Sequence, residues 1–269
     1  MPTDRTLPEP HRLRDVAGSF GVDPDRYDRA RPRYPDEAVA AIVAAAPGPD
    51  VLDVGIGTGI AARQFEAAGG RVLGVDVDPR MAEWARRRGH RVEVAAFEDW
   101  DPAGRLFDAV VSAQAWHWVD PVAGAAKAAR VLRPGGRLAV LWNAAELPPG
   151  LGEAIAGVYR RVLPDSPLAR RPDLAGPGGY EVMCDRAADG VRASGAFGEP
   201  ERWAFDWEQP LTRDEFLDQL PTTGVNTRLP AEVLERVLAG VGAAIDGVGG
   251  RFTTRYTTFV VTAARTGDG

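Results

Sequence analysis

The sequence predicts an α/β fold of the doubly wound kind, a mostly parallel sheet with helices on both faces. Three observations carry that expectation. Short apolar runs of strand length alternate with helical patterns through the first half of the chain. A glycine-rich turn joins the first of these strands to its helix, as in ligand-binding α/β sheets. The chain then closes on a long run rich in Thr, Phe, Tyr and Val, suited to an added antiparallel edge. With 269 residues, the chain suits one domain, or one domain carrying a substantial insertion.

Taken in order, the first ~30 residues are polar and contain proline, and are expected to drape over the body or move. Residues Pro35 to Pro47 place Val39, Ile42, Val43 and Ala46 on one helical stripe. A strand follows at Val51 to Val54, and a helix at Ile60 to Ala68 that Gly69 and Gly70 end. Arg71 to Val75 is the second strand. Asp78 and Pro79 open the next helix as N-cap and first position, and Gly89 closes it. Strands three, four and five are expected at Arg91 to Ala95, Phe107 to Ser112 and Arg137 to Trp142, with a helix from Pro121 to Leu132 between the last two. After Asn143 the rhythm changes: a helix at Leu151 to Leu163, a loop-like stretch from Pro164 to Gly179, and an alternating strand at Trp203 to Trp207. Thr212 caps a short helix through Leu220, Pro230 opens another through Ile245, and Arg251 to Ala263 is the last strand. This divides the chain into an N-terminal lid (1–34), a ligand-binding core (35–143), a helical cover (144–200) and C-terminal elements that complete the same domain (201–269).

Composition narrows the function classes. Hydrophobic residues are 45% and charged residues 26%, ordinary for a globular protein. A net charge of -6 gives neither nucleic acid nor an anionic membrane a long-range attraction to the chain. No apolar run has the length of a membrane span, the first fifteen residues lack a signal-peptide core, and Cys184 stands alone, so a cytoplasmic protein is expected. Its partner is then a small molecule, and the protein a monomer or homodimer.

The stretch VLDVGIGTGI concentrates the chemistry. Gly55, Gly57 and Gly59 lie between strand and helix, where a ligand can approach the backbone. Tight packing is the competing explanation for such a turn. Ile60 stands where a dinucleotide fingerprint needs a third small residue, and Asp53 suits a cationic ligand better than a pyrophosphate. Asp76 ends the second strand, 21 positions after Gly55, where a carboxylate can accept both hydroxyls of an adenosine ribose. Asp78, next to Pro79, takes the capping role and leaves Asp76 for binding.

The segments DVGIGTG, GVDVDPRM, FDAVVSAQAWHWVD and VLRPGGRLAVLWN, in that order, resemble those of class I S-adenosylmethionine (SAM)-dependent methyltransferases, and most closely their small-molecule (type 11) branch. The resemblance is strong from Phe20 to Asn143. It continues more weakly toward bacterial and fungal proteins related to trans-aconitate methyltransferase. It implies a Rossmann-like, seven-stranded sheet with an antiparallel last strand and a cover over the ligand end. It implies SAM as cofactor, with Asp53, Gly55, Gly57 and Gly59 at its methionine part and Asp76 at its ribose. Val77 and Met81 would border the adenine, and Phe97 and Glu98 would meet the adenine edge. Ala96 departs from the Asp or Thr of many relatives, which removes a side-chain contact. Ala113 and Gln114 would face the methionine amino group. FGVDPDRYDRARPRYP resembles the branch's lid, in which Tyr27 and Arg31 or Arg33 approach the cofactor.

Other residues keep two readings. His117 is a candidate general base, or a residue that packs and shapes the cofactor site. His11, His90 and His117 have no ligand-like spacing, so no metal is expected. Arg86, Arg87 and Arg88 complement a helix dipole rather than mark a nucleic-acid patch. Five tryptophans (116, 118, 142, 203 and 207) are core or pocket walls, and Tyr159, Arg160, Tyr180, Met183 and Cys184 lie in the proposed cover. The expected reaction is in-line methyl transfer to an O, N or C atom of a small metabolite, in specialised metabolism. The alternatives are a SAM-binding protein that transfers no methyl group, a nicotinamide-dependent oxidoreductase, and an RNA or protein methyltransferase. SAQAWH after strand four lacks the amine-binding motif of the last class.

Overall fold

The computed structural model describes residues 18–165 and 177–267. His11, the start of the lid and most of the Pro164 to Gly179 loop lie outside the described residues. The strands are β1 (Asp50–Val54), β2 (Arg71–Asp76), β3 (Arg91–Val94), β4 (Phe107–Ala113), β5 (Leu132–Glu146), β6 (Glu201–Thr212) and β7 (Arg251–Ala264). They form one sheet in the order β3-β2-β1-β4-β5-β7-β6. The first five are parallel, and β7 pairs antiparallel with both β5 and β6. The doubly wound α/β architecture and the antiparallel ending are therefore as the sequence implies. The reversal of strand order on either side of β1 and β4 opens a crevice at their C-terminal ends, the usual ligand position in such sheets.

The helices are α1 (Pro24–Ala30), α2 (Asp36–Ala45), α3 (Ile60–Ala67), α4 (Pro79–Arg87), α5 (Pro121–Val131), α6 (Leu151–Val162), α7 (Pro177–Ser194), α8 (Arg213–Gln219) and α9 (Ala231–Asp246). Local chemistry sets several of their starts. Asp78 accepts from the Arg80 amide ahead of Pro79, and Asp120 accepts from the Val122 and Ala123 amides ahead of Pro121. Thr212 and Glu215 complete a reciprocal capping box on α8.

Two apolar layers sandwich the sheet. One packs Ile42 and Phe65 against Val111 and Leu141, and the other packs Leu52, Val110 and Trp142 against α5 and α7. A third cluster lies outside the sheet, where Ile155, Val158 and Tyr159 of α6 meet Val237, Val241 and Ile245 of α9. The cover over the crevice is this α6–α9 pair, with α8 and the turns after it (Leu220–Thr222 and Gly224–Arg228). It thus draws on residues from both sides of position 200. Helix α7 lies elsewhere: Cys184, Ala187, Ala188 and Val191 are buried in the α5 layer, and only its first turns reach the crevice. Strands β5 and β6 extend well beyond their apolar cores, because β7 offers hydrogen-bonding partners along its whole length.

Side-chain bonds tie the lid helix α1 down on three sides. Arg63 of α3 pairs with Asp28 at 2.7 Å, Trp84 of α4 donates to Asp25 at 2.9 Å, and Arg29 grips Asp218 of α8 through two nitrogens at 2.9 and 3.1 Å. The Tyr34 amide and carbonyl are bonded by Gln64 at 3.0 and 2.7 Å. Each surface contact is worth up to about 1 kcal/mol, so the lid's place rests on their number and on the shared element α8.

Candidate functional site

The turn after β1 is built by conformation as much as by composition. Gly55, Gly57 and Gly59 have φ of 75°, 56° and 85°, in the left-handed region that side chains disfavour. A Cβ on Gly55 would stand 2.4 Å from the Cβ of Ala115, so the β1 and β4 loops touch there. A Cβ on Gly57 would meet nothing within 4 Å, because that side of the backbone faces a cavity. Gly59 borders no cavity; it turns the chain into α3 beside His90.

That cavity, of about 890 Å³, runs from the lid across the β-strand ends and under the cover. Twelve of the candidate cofactor-binding and catalytic residues border it: Tyr27, Arg31, Gly55, Gly57, Asp76, Val77, Met81, Phe97, Glu98, Ala113, Gln114 and His117. Asp53 borders a smaller adjoining cavity that shares Tyr27, Arg31, Gly55, Gly57 and Gln114 with the first. Gly59 and Arg33 border neither; the Arg33 carbonyl instead accepts from Asn143 at 2.9 Å.

Three features of the strand ends are electrostatic. Asp76 accepts the Gly57 amide on one oxygen and the Asp78 amide on the other, both at 2.8 Å, which orients the carboxylate and leaves each oxygen a further lone pair. Burial raises its pKa to about 6 against the pull of those amides. Asp53 is 1% exposed, and neither oxygen has a hydrogen-bond partner. Burial, with the charges of Asp76 and Glu66, raises it to about 7. Arg31 caps the lid helix with its guanidinium 5.4 Å from the Tyr27 ring, and no carboxylate among the described residues pairs with it. A polarised acid and a free cation thus share the smaller cavity.

Gln114 has φ of 57°, unusual for a residue with a side chain, and such strain is held where the surroundings demand it. Its amide donates to the Leu141 carbonyl at 2.8 Å and its side-chain nitrogen to the Asn143 carbonyl at 3.2 Å. Asn143 in turn accepts from Thr258, and Thr258 from Trp207, at 2.7 and 2.9 Å. This relay joins lid, β4, β5, β7 and β6 behind the cavity.

The cover half of the cavity is apolar and aromatic, with Leu147, Ile155, Tyr159, Tyr180, Met183 and Phe216 among its walls. Tyr159 and Asn226 are hydrogen-bonded to each other, with Oη to Oδ1 at 3.0 Å and Nδ2 to Oη at 2.8 Å. Tyr256 stacks on Trp207 at 4.4 Å between ring centres. Of the cover residues raised from sequence, Tyr159, Tyr180 and Met183 reach the cavity, whereas Arg160 and Cys184 do not. Of the five tryptophans only Trp118 lines it. Sequence reading missed Asn143, although it ends the VLRPGGRLAVLWN segment, and Phe216, Asn226, Thr254 and Tyr256, which come together only through β7 and the cover. His117 follows β4 in the turn Trp116–Trp118, and its Nδ1 lies 3.3 Å from the indole nitrogen of Trp142. Among the described residues no cluster of metal-ligating side chains occurs, and no helix is long and apolar enough to cross a membrane.

The chain is similar to known methyltransferases. A family model described as a methyltransferase domain matches residues 52–140, which span β1 to β5. An uncharacterized methyltransferase of Mycobacterium tuberculosis is 32% identical over 227 residues, 84% of each chain. A demethylmenaquinone methyltransferase of Beutenbergia cavernae is 33% identical over 199 residues, 70% of this chain and 80% of the relative. Among solved structures, a type II methyltransferase from Anaeromyxobacter dehalogenans superposes with a TM-score of 0.63 at 24% identity, over 88% of this chain and 99% of that one. That last similarity supports the fold.

Proposed function

Because the chain belongs to the class I SAM-dependent small-molecule methyltransferases, we propose that its cavity holds SAM across the β1, β2 and β4 ends and a small, largely apolar substrate under the cover. The observation that carries this reading is the pairing of Asp53, buried and without a partner, with the free guanidinium of Arg31 beside the same small cavity. A buried carboxylate without a donor is costly. The methionine end of SAM supplies the missing complement, an ammonium toward Asp53 and Gln114 and a carboxylate toward Arg31. Asp76 receives the ribose hydroxyls on its remaining lone pairs. Val77, Met81, Phe97 and Glu98 border the adenine, with Val77 on the exposed rim. Gly57 supplies an open backbone where any side chain would intrude.

When bound, SAM supplies a sulfonium-activated methyl group with a neutral leaving group. The protein's own work is to position and to exclude water. The relay from Trp207 to Asn143 fixes Gln114, and the bonds from α1 to α3, α4 and α8 hold the lid over the strand ends. The aromatic and aliphatic cover walls favour a substrate with an apolar body, and the demethylmenaquinone methyltransferases among the relatives support an aromatic one. We assign the reaction to the cytoplasm, in specialised metabolism.

Calorimetry tests the cofactor assignment. Wild-type protein is expected to bind S-adenosylhomocysteine with micromolar affinity, and Asp76→Ala to weaken it about ten-fold or more, the loss of a good charge-assisted hydrogen-bond set. Folded wild-type protein, free of ligand, that binds neither SAM nor S-adenosylhomocysteine would overturn the assignment.

A further inference from the structure

We propose that His117 is a fixed hydrogen-bond donor to an ionised oxygen of the substrate, held in that role by Trp142, and is not a general base. The inference rests on the reading that the cavity takes a substrate beside SAM, and it deepens that reading by naming the substrate's chemistry.

Trp142 is completely buried, and its indole N–H has one acceptor, Nδ1 of His117 at 3.3 Å. An indole nitrogen only donates. Nδ1, the ring nitrogen facing it, must therefore be the unprotonated one. In a neutral ring the proton then sits on the other nitrogen, Nε2. Protonating Nδ1 would set two N–H groups against each other and leave a buried donor without an acceptor. Neither nitrogen can take a proton from a substrate: one faces a buried donor, the other already carries hydrogen.

The surroundings reinforce the neutral state. Arg31 is the charged group among the described residues that bears on the ring, and with burial it holds the His117 pKa down at about 4. The ring also packs against Trp118, 4.6 Å between centres. Histidine in this site is thus a donor throughout the physiological range, next to a positive charge, with its exposed part on the cavity.

The cover half has other acids in its wall, but Glu146 and Glu153 are exposed to solvent, and Glu153 is paired with Arg160. Tyr159 and Tyr256 are raised by burial and stay protonated at neutral pH. Asp76 and Glu98 lie toward the proposed cofactor end, with backbone amides already donating to them. A substrate that needs deprotonation at an alcohol or an unactivated carbon finds no acceptor for its proton on His117. One that arrives ionised, a carboxylate or an acidic phenol, finds Nε2–H and Arg31. The methyl group then goes to that oxygen, or to a ring carbon that the phenolate activates, with no further proton to place before transfer.

The decisive measurement is nitrogen NMR of protein labelled with ¹⁵N-histidine, with His117→Gln used to assign the signal. Expected is a ring protonated on Nε2 and bare on Nδ1 that does not titrate between about pH 5.5 and 8, although free histidine titrates there. The opposite tautomer, or titration in that range, overturns the proposal. In Trp142→Phe the preference for Nε2–H should relax and the ring pKa rise; an unchanged tautomer removes Trp142 from the role. Benzoate and benzyl alcohol are then titrated with and without S-adenosylhomocysteine. A downfield shift of the Nε2 proton with benzoate alone supports recognition of an ionised oxygen, and its absence sinks that half. Failure of S-adenosylhomocysteine to bind, seen by calorimetry on the same sample, would instead sink the cofactor assignment and leave the tautomer result standing.

Discussion

The two halves of the cavity are made by different means. On the proposed cofactor side the walls are largely backbone: a run of left-handed glycines, a strained Gln114 and amides that clamp Asp76, all within the turns after β1, β2 and β4. On the cover side the walls are side chains from α6, α7, α8 and β7, brought together from positions far apart in the chain. Backbone walls tolerate little substitution, because a side chain would have to adopt a left-handed φ and, at Gly55, would also meet Ala115. Side-chain walls can be exchanged one at a time while the α6–α9 packing persists. A scaffold of this kind keeps one ligand constant and lets the other vary.

The sharpest way to break that contrast is Gly55→Val. Its first side-chain carbon meets Ala115 at 2.4 Å at a φ of 75°. Overpacking costs roughly 1–3 kcal/mol and the left-handed backbone about 1–2 more. Thermal unfolding should show a large drop in Tm and calorimetry no S-adenosylhomocysteine binding. A well-folded variant that still binds would show that the backbone wall is not as rigid as described.

Asp53→Asn probes the same half through pH. Asp53 titrates near 7 and Asp76 near 6 in the folded protein, against about 4 in the unfolded chain. Between those values the native state holds more protons, so both acids make stability fall as pH rises from about 4 toward 7. His117, lowered to about 4, works the other way up to its ordinary value near 6.5. Removing the Asp53 contribution should therefore tilt the curve: relative to wild type, Asp53→Asn gains stability steadily from pH 4 to 7, by up to about 1.4 kcal/mol per unit. Parallel Tm curves for the two proteins across that range would refute the buried, unpartnered state of Asp53.

The smallest effect is expected on the other side. Tyr159→Phe removes the bonds to Asn226, which keeps the Leu220 carbonyl at 3.1 Å. The cost should be about 1 kcal/mol in denaturant unfolding, with S-adenosylhomocysteine affinity within two-fold of wild type. A ten-fold loss of that affinity would erase the distinction between the halves.

Legibility followed the same division. Met81, Phe97 and Gln114 followed from the resemblance of their segments to the methyltransferase family, whereas the glycine turn and Asp76 were read from the sequence because each lies at a strand end whose position the hydrophobic pattern marks. Gly59 was read as a ligand neighbour on the same ground, yet it faces His90, a residue of another turn. Trp142 read as core or pocket wall, since nothing local says that its indole will meet His117, 25 residues earlier. Tyr256, Thr254 and Asn226 carried no signal at all.

By itself, then, the sequence determined the alternation of strands and helices, the helix caps, the conformation of the glycine turn and the acids at the strand ends. All of these depend on interactions within about a turn of chain, where propensity, capping and steric exclusion act. Only the tertiary structure decided that α7 would join the sheet layer while α8 and α9 made the cover. It also decided that Asp53 would be buried without a partner at a cavity it shares with Arg31, and which nitrogen of His117 would carry the proton. Those outcomes depend on burial and on pairings between distant residues, and desolvation and long-range hydrogen bonds exist only once the chain has packed.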